Sequence, residues 1–130
     1  MRKQIILKFI GVAILFCSCS KGGNTNQGNS RQIRYEITGN YSGKLSISYW
    51  EKNSSTLTLF TNVQIPWNKD VQYAQTVEGI AITAETDSAG SLGQTAVLKI
   101  YSNNNLIKST TASTNNVGYI VLPAIEYNFP

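Results

Sequence analysis

Histidine is missing from all 130 residues, and cysteine occurs only at Cys17 and Cys19. Without histidine there is no Ser-His-Asp or Cys-His catalytic set, no His-ligated zinc and no histidine-held haem. The one side chain that titrates near neutrality unaided is gone as well. No serine sits in a nucleophile-elbow pattern, and no glycine-rich phosphate loop follows a strand and opens a helix, so nucleotide binding lacks its physical basis. Charged residues make up only 14% of the chain. No cofactor or resident metal is expected from this composition.

What is present begins with an address. Residues 1–18 carry Arg2, Lys3 and Lys8, then the apolar run Phe9 to Phe16, then small residues. That is the charged, apolar, small-residue layout of an export signal. The run is too short for a spanning helix, which needs roughly 20 apolar residues. Phe16-Cys17-Ser18-Cys19 resembles a bacterial lipobox, in which the cysteine after the cleavage point carries a thioether-linked lipid. Cys19 is the better acceptor, because small Ser18 precedes it and bulky Phe16 precedes Cys17. The bland alternatives are an ordinary cleaved signal with an incidental Cys19, or a metal held by the two cysteines, for which no further Cys or His ligand follows.

Cleavage before Cys19 removes three of the 11 basic residues and leaves eight against seven acidic ones. The basic balance therefore belongs largely to the signal. Scattered Lys and Arg in the remainder form no stripe, so a nucleic-acid partner is not expected. A lipidated Cys19 also leaves the folded part free of cysteine, so its core alone must hold it.

Residues 19–32 read as the lipidated cysteine and a flexible tether, rich in Gly, Asn and Ser and without apolar periodicity. Thirteen such residues, 20–32, hold a domain roughly 20 Å from its anchor and at most about 45 Å away. From residue 33 to residue 130 the period becomes two. Ile33, Tyr35 and Ile37 alternate with polar residues, as do Leu45, Ile47 and Tyr49; Leu57 and Leu59; Ile80, Ile82 and Ala84; Leu98 and Ile100; and Val117, Tyr119 and Val121. Each run is expected to turn its apolar face inward. Turn residues separate the runs, among them Asn103-Asn104-Asn105 as a hairpin tip and Thr114-Asn115-Asn116, while Pro66 and Pro123 mark strand ends or edges. The pattern predicts an all-β antiparallel sandwich of about seven to eight strands.

The order of motifs carries a resemblance. Arg34-Tyr35-Glu36-Ile37-Thr38-Gly39 is followed by Leu45-Ser46-Ile47-Ser48-Tyr49, then Val63-Gln64-Ile65-Pro66-Trp67-Asn68-Lys69, Gly79-Ile80-Ala81-Ile82-Thr83-Ala84-Glu85 and Leu98-Lys99-Ile100-Tyr101. This succession, over about residues 33–122, resembles the MmpS family of small membrane-anchored mycobacterial proteins. The resemblance implies an immunoglobulin-like β-sandwich and an accessory role beside large lipid transporters of the resistance-nodulation-division type. The chain departs from the family in using a lipid signal instead of a transmembrane helix, in lacking a late cysteine pair, and in its trailing segment Ile125 to Pro130.

Few residues offer chemistry. Glu85 and Asp87, with Glu78 nearby, could serve glycoside hydrolysis, or Asp87 and the following loop could hold calcium, but a solvated strand end explains them more simply. Trp50 lies on the strand face opposite Tyr49, and with Tyr41 or Tyr101 it could form an aromatic platform for a sugar or apolar ligand. Packing at an edge is the plainer reading. Trp67, after Pro66, is expected to plug one end of the core. Together these readings give a non-catalytic lipoprotein of the bacterial envelope, in the outer membrane since Ser20 and Lys21 lack an acidic retention signal. It assists a transporter or, alternatively, binds glycans or host proteins. Replacing Cys19 (Cys19→Ala) is expected to release the protein from membranes in a fractionation assay; unchanged retention would contradict the lipid reading.

Overall fold

The computed structural model describes residues 31–130. Cys19 and the 1–18 and 20–30 segments lie outside the described residues. Eight strands are present: β1 (Gln32–Gly39), β2 (Lys44–Glu51), β3 (Leu57–Val63), β4 (Trp67–Gln72), β5 (Gly79–Ser88), β6 (Thr95–Ser102), β7 (Asn105–Ser113) and β8 (Val121–Asn128). They form two four-stranded antiparallel sheets, ordered β4-β1-β6-β7 and β3-β2-β5-β8, packed face to face as the expected sandwich. The folded part takes in Arg31 and Gln32, just ahead of Ile33.

The core follows from the period-two pattern. Seven isoleucines (33, 37, 47, 80, 82, 100 and 120), three leucines (45, 98 and 122) and Tyr35 are the large side chains fully withdrawn from water. Most are β-branched, which suits the pleated surface of a strand. Each such burial contributes about 1.5–3 kcal/mol, so the sandwich stands without a cross-link.

Two expected faces are inverted. Leu57 and Leu59 point outward, 55% and 54% exposed, while Thr58, Phe60 and Val63 face the core. Phe60 buries more apolar surface than either leucine and sets the phase of β3. A bulge then lets Val63 return to the inner face: β2 advances from Leu45 to Ile47 while β3 spans Val63 to Phe60. Asn62, in the bulge, takes a left-handed φ of 60°, and the Asp87 carboxylate accepts its N–H at 2.6 Å. Near the end of the chain Val117, Tyr119 and Val121 are exposed, and Gly118, Ile120 and Leu122 turn inward. The hydrogen bonding of the turn imposes that phase. Asn115 Oδ1 accepts the N–H groups of Val117 and Tyr119, and Gly118, at φ 79°, sits so close to Gly90 that an added Cβ would fall 2.2 Å from its carbonyl oxygen.

Other turn expectations match. Asn103 and Asn104 both take left-handed φ (50° and 64°), and Ser102 pairs with Asn105 across this two-residue hairpin. Pro66 lies at the corner where the chain leaves one sheet for the other between β3 and β4. Pro123 lies in β8, an edge strand, where β5 and β8 slip register between Ile82 and Ala84. Of the trailing residues, Ile125 to Asn128 belong to that strand.

The entering chain is pinned at one end of the sandwich. Arg31 is buried, its guanidinium donates to the Val77 carbonyl and lies 4.4 Å from the centre of the Phe129 ring, and its carbonyl accepts from Tyr73 N–H at 3.0 Å. At the opposite end Tyr41 is the tie. Its hydroxyl meets the Ser88 carbonyl at 2.9 Å, Thr86 Oγ1 at 3.0 Å and the Gly118 carbonyl at 3.4 Å. Tyr41→Phe keeps the ring and removes these bonds, at an expected cost of about 1–2 kcal/mol. Urea unfolding should show a lower midpoint with an unchanged m-value.

Candidate functional site

The site grows from the way β3 and β4 diverge. Each is the edge strand of its sheet, on the same side of the sandwich, and they share the corner at Pro66. Near the corner aromatic rings close the gap between the sheets. Tyr35 lies 5.1 Å from Tyr49, Tyr49 stacks 6.1 Å from Phe60, and Phe60 is 5.7 Å from Trp67. Trp67 is thus the expected plug. Away from the corner the edges part, and a cleft of about 310 Å³ opens beside the end where Arg31 enters.

Strand alternation decides which side chains face this cleft. Tyr49 and Glu51 share the inner face of β2, since they pair with the inward Ile82 and Ile80 of β5. Thr58 is opposite Tyr49 on β3, and Thr56 precedes it by one alternation. Val71, Gln72 and Tyr73 form the other wall. Tyr35 and Tyr73 join hydroxyls at 2.7 Å below it.

Burial dominates the chemistry of that pair. It pushes both phenols up, Tyr73 to about 12 and Tyr35 further, with the charge of Glu51 as a smaller contribution. Their bond splits the two: Tyr73 loses its proton first, because the Tyr35 hydroxyl then donates to the phenolate.

The carboxylates sort by partner. Glu36 binds Lys99, Asp70 binds Arg34 and Glu126 binds Lys52. Glu78 accepts from Asn53, and Asp87 accepts from the Asn62 backbone. Glu85 is exposed on the outer face. Glu51 is partly buried, and its carboxylate has neither a hydrogen-bond nor an ion-pair partner among the described residues. Among those residues no three Cys, Asp or Glu side chains gather as a metal centre. Asp87 serves the bulge of β3.

The aromatic platform expected from Trp50, Tyr41 and Tyr101 is not assembled. Trp50 is paired with Ala81 and Leu57 and lines the cleft, away from Tyr41 and Tyr101. Tyr41 is 4% exposed and tied into the far end of the sandwich. Tyr101 belongs to the other sheet, where its hydroxyl donates to Glu36 Oε1 at 3.4 Å. The alternation that buries Leu45 and Ile47 keeps Trp50 out of the core, and hydrogen bonding at the β1–β2 connection draws Tyr41 inside. On the β2–β3 side the residues that do converge are Tyr49, Trp50, Glu51, Ser54, Thr56 and Thr58, whose sequence signal is a strand ending in Tyr-Trp-Glu and returning through Thr-x-Thr.

A family model described as Mycobacterium membrane protein matches residues 11–117. No curated protein matches the chain.

The Tyr35–Tyr73 pair yields a pH prediction. Both phenols have folded values above the ordinary 10.0, so their contribution is complete below pH 10 and is lost as pH rises toward and through about 12. Spectrophotometric titration should find Tyr35 and Tyr73 resisting ionisation well above pH 10, and urea midpoints should fall above pH 10. Ordinary ionisation of all seven in the folded protein would contradict this pairing.

Proposed function

The chain belongs to the Mycobacterium membrane protein family, the MmpS family, and is membrane-associated in the cell envelope; from that premise we propose a lipid-anchored, non-catalytic accessory module that assists an envelope transporter. The observation that carries this reading is the extent of the match, 11–117, which runs through the Cys19 segment into most of the sandwich. Cys19 supplies the anchor, in the outer membrane, and residues 20–30 supply the spacer.

The distribution of apolar surface supports a protein partner. Leu92, Val117, Tyr119 and Val121 are each more than half exposed, and all stand at the end of the sandwich remote from Arg31. Their loops are held by specific bonds. Gly90 N–H donates to the Gly118 carbonyl at 2.9 Å, and Gln94 Oε1 accepts from Ser42 N–H and Ser91 N–H at 2.9 and 2.8 Å. A pre-ordered apolar tip costs little conformational entropy on binding. It offers a contact face to a membrane protein that projects from the bilayer.

A photo-crosslinker placed at Val117 in cells should capture a large membrane transporter, and the same group at Lys108, on β7, should not. Capture at neither position, or equal capture at both, would count against this contact face.

A further inference from the structure

We infer that the cleft between the β2–β3 hairpin and the end of β4 is a binding site for a primary ammonium group carried on a short aliphatic or sugar stem. Of the seven acidic residues, Glu51 is the one that is partly withdrawn from water yet whose carboxylate has no hydrogen-bond or ion-pair partner among the described residues. The Glu51 carboxylate lines the cleft without a protein partner, and an ammonium bound there would give it a charge-assisted hydrogen bond. The cleft, of about 310 Å³, is at the lower end of the ~300–1,000 Å³ typical of small-molecule sites.

Its lining selects among cations. No lysine or arginine lines it, so an anion finds no counter-charge there. A single carboxylate is far short of the six to eight oxygen ligands that calcium takes. An ammonium group has three N–H donors and needs three acceptors. Glu51 offers its carboxylate, and the hydroxyls of Tyr49, Thr56 and Thr58 have no hydrogen-bond partner among the described residues. Val71 on the opposite wall gives an apolar surface for the stem. The floor is pre-ordered: Tyr49 is held between Tyr35 and Phe60, and Tyr73 is tied to Tyr35. A wholly apolar occupant would leave the carboxylate and three hydroxyls dry and unpaired.

This inference stands apart from the transporter reading, because the cleft and the apolar loops occupy opposite ends of the sandwich. The test is calorimetric titration of the full chain, in a detergent without sugar or amine, with cadaverine and with glucosamine. Their uncharged counterparts, pentanediol and N-acetylglucosamine, serve as controls. At least one amine should bind and its control should not, and salt should weaken the binding. Glu51→Gln should reduce affinity tenfold or more, and Thr58→Val should reduce it less, with urea midpoints of both variants near that of the parent. Preference for cadaverine indicates an aliphatic stem, and preference for glucosamine a sugar stem. Absence of binding by both amines at millimolar concentration would overturn the inference. So would equal binding of the uncharged controls, or full affinity in Glu51→Gln. Crosslinking at Val117 is read separately, so either proposal can fail alone.

Discussion

The hydroxyl of Tyr35 sits on a fully buried side chain among isoleucines and leucines, and its bond to Tyr73 governs much of what surrounds it. Tyr35 is wholly buried on β1, where an unsatisfied hydroxyl would cost about 1–3 kcal/mol. Satisfying it requires the residue just after β4 to turn inward. That placement sets the Tyr73 ring 6.0 Å from Phe129, which in turn stacks against Arg31. The Tyr35 ring also supports Tyr49, so the same residue holds the entry of the chain, the end of β8 and the floor of the cleft. A tyrosine in a core of isoleucine and leucine thus specifies geometry that apolar packing would leave looser.

The two sides of the sandwich are finished differently, and the difference creates the cleft. On one side the edge strands β7 and β8 pack together. On the other, β3 and β4 meet only toward the Pro66 corner, where Phe60 and Trp67 fill the gap. An open edge invites pairing with another chain. Here the bulge at Asn62 interrupts β3, and β4 carries Asn68, Lys69 and Asp70 in its middle. Both features discourage sheet extension while leaving space between the sheets. Shielding the edge and opening a polar cleft are two results of the same strand divergence.

The central strands were legible because both of their neighbours are fixed. Ile33, Tyr35 and Ile37, and Leu45 with Ile47, alternate as they do in the structure, since each inward position is needed by the core. The edge strands were not. In β3 the leucines carried the stronger local signal, yet Phe60, adjacent in sequence, took the core and reversed the phase. At Val117, Tyr119 and Val121 the reversal came from Asn115 bonding two backbone amides, a local polar event that apolar periodicity does not register. The Asn103-Asn104 hairpin was readable because asparagine tolerates the left-handed backbone. The cleft was hidden for a different reason. Glu51 looked like any strand-end carboxylate, and only the tally of partners, most of them 25 or more residues away, leaves it alone.

The anchor proposed at Cys19 would turn this asymmetry into a division of surfaces. The chain enters at Arg31, on the end that bears the cleft. If the lipid proposed at Cys19 is there, a Gly/Asn/Ser-rich spacer of eleven residues would have an expected reach of about 20 Å, comparable to the length of the strands themselves. That proposed anchor would keep the cleft end near the bilayer on average and carry the apolar loops at Leu92, Val117 and Tyr119 outward. Apolar loops used for insertion into lipid would be expected beside the anchor, where the second attachment gains from the first. Their position at the remote end favours a protein that rises from the membrane to the same height. A polar cleft close to the bilayer faces the opposite circumstance, a thin aqueous layer in which small solutes move freely and a bulky partner is excluded. Under that proposed anchoring the two surfaces would divide by size of ligand, and the pinning of the chain at Arg31 would assign each to its level.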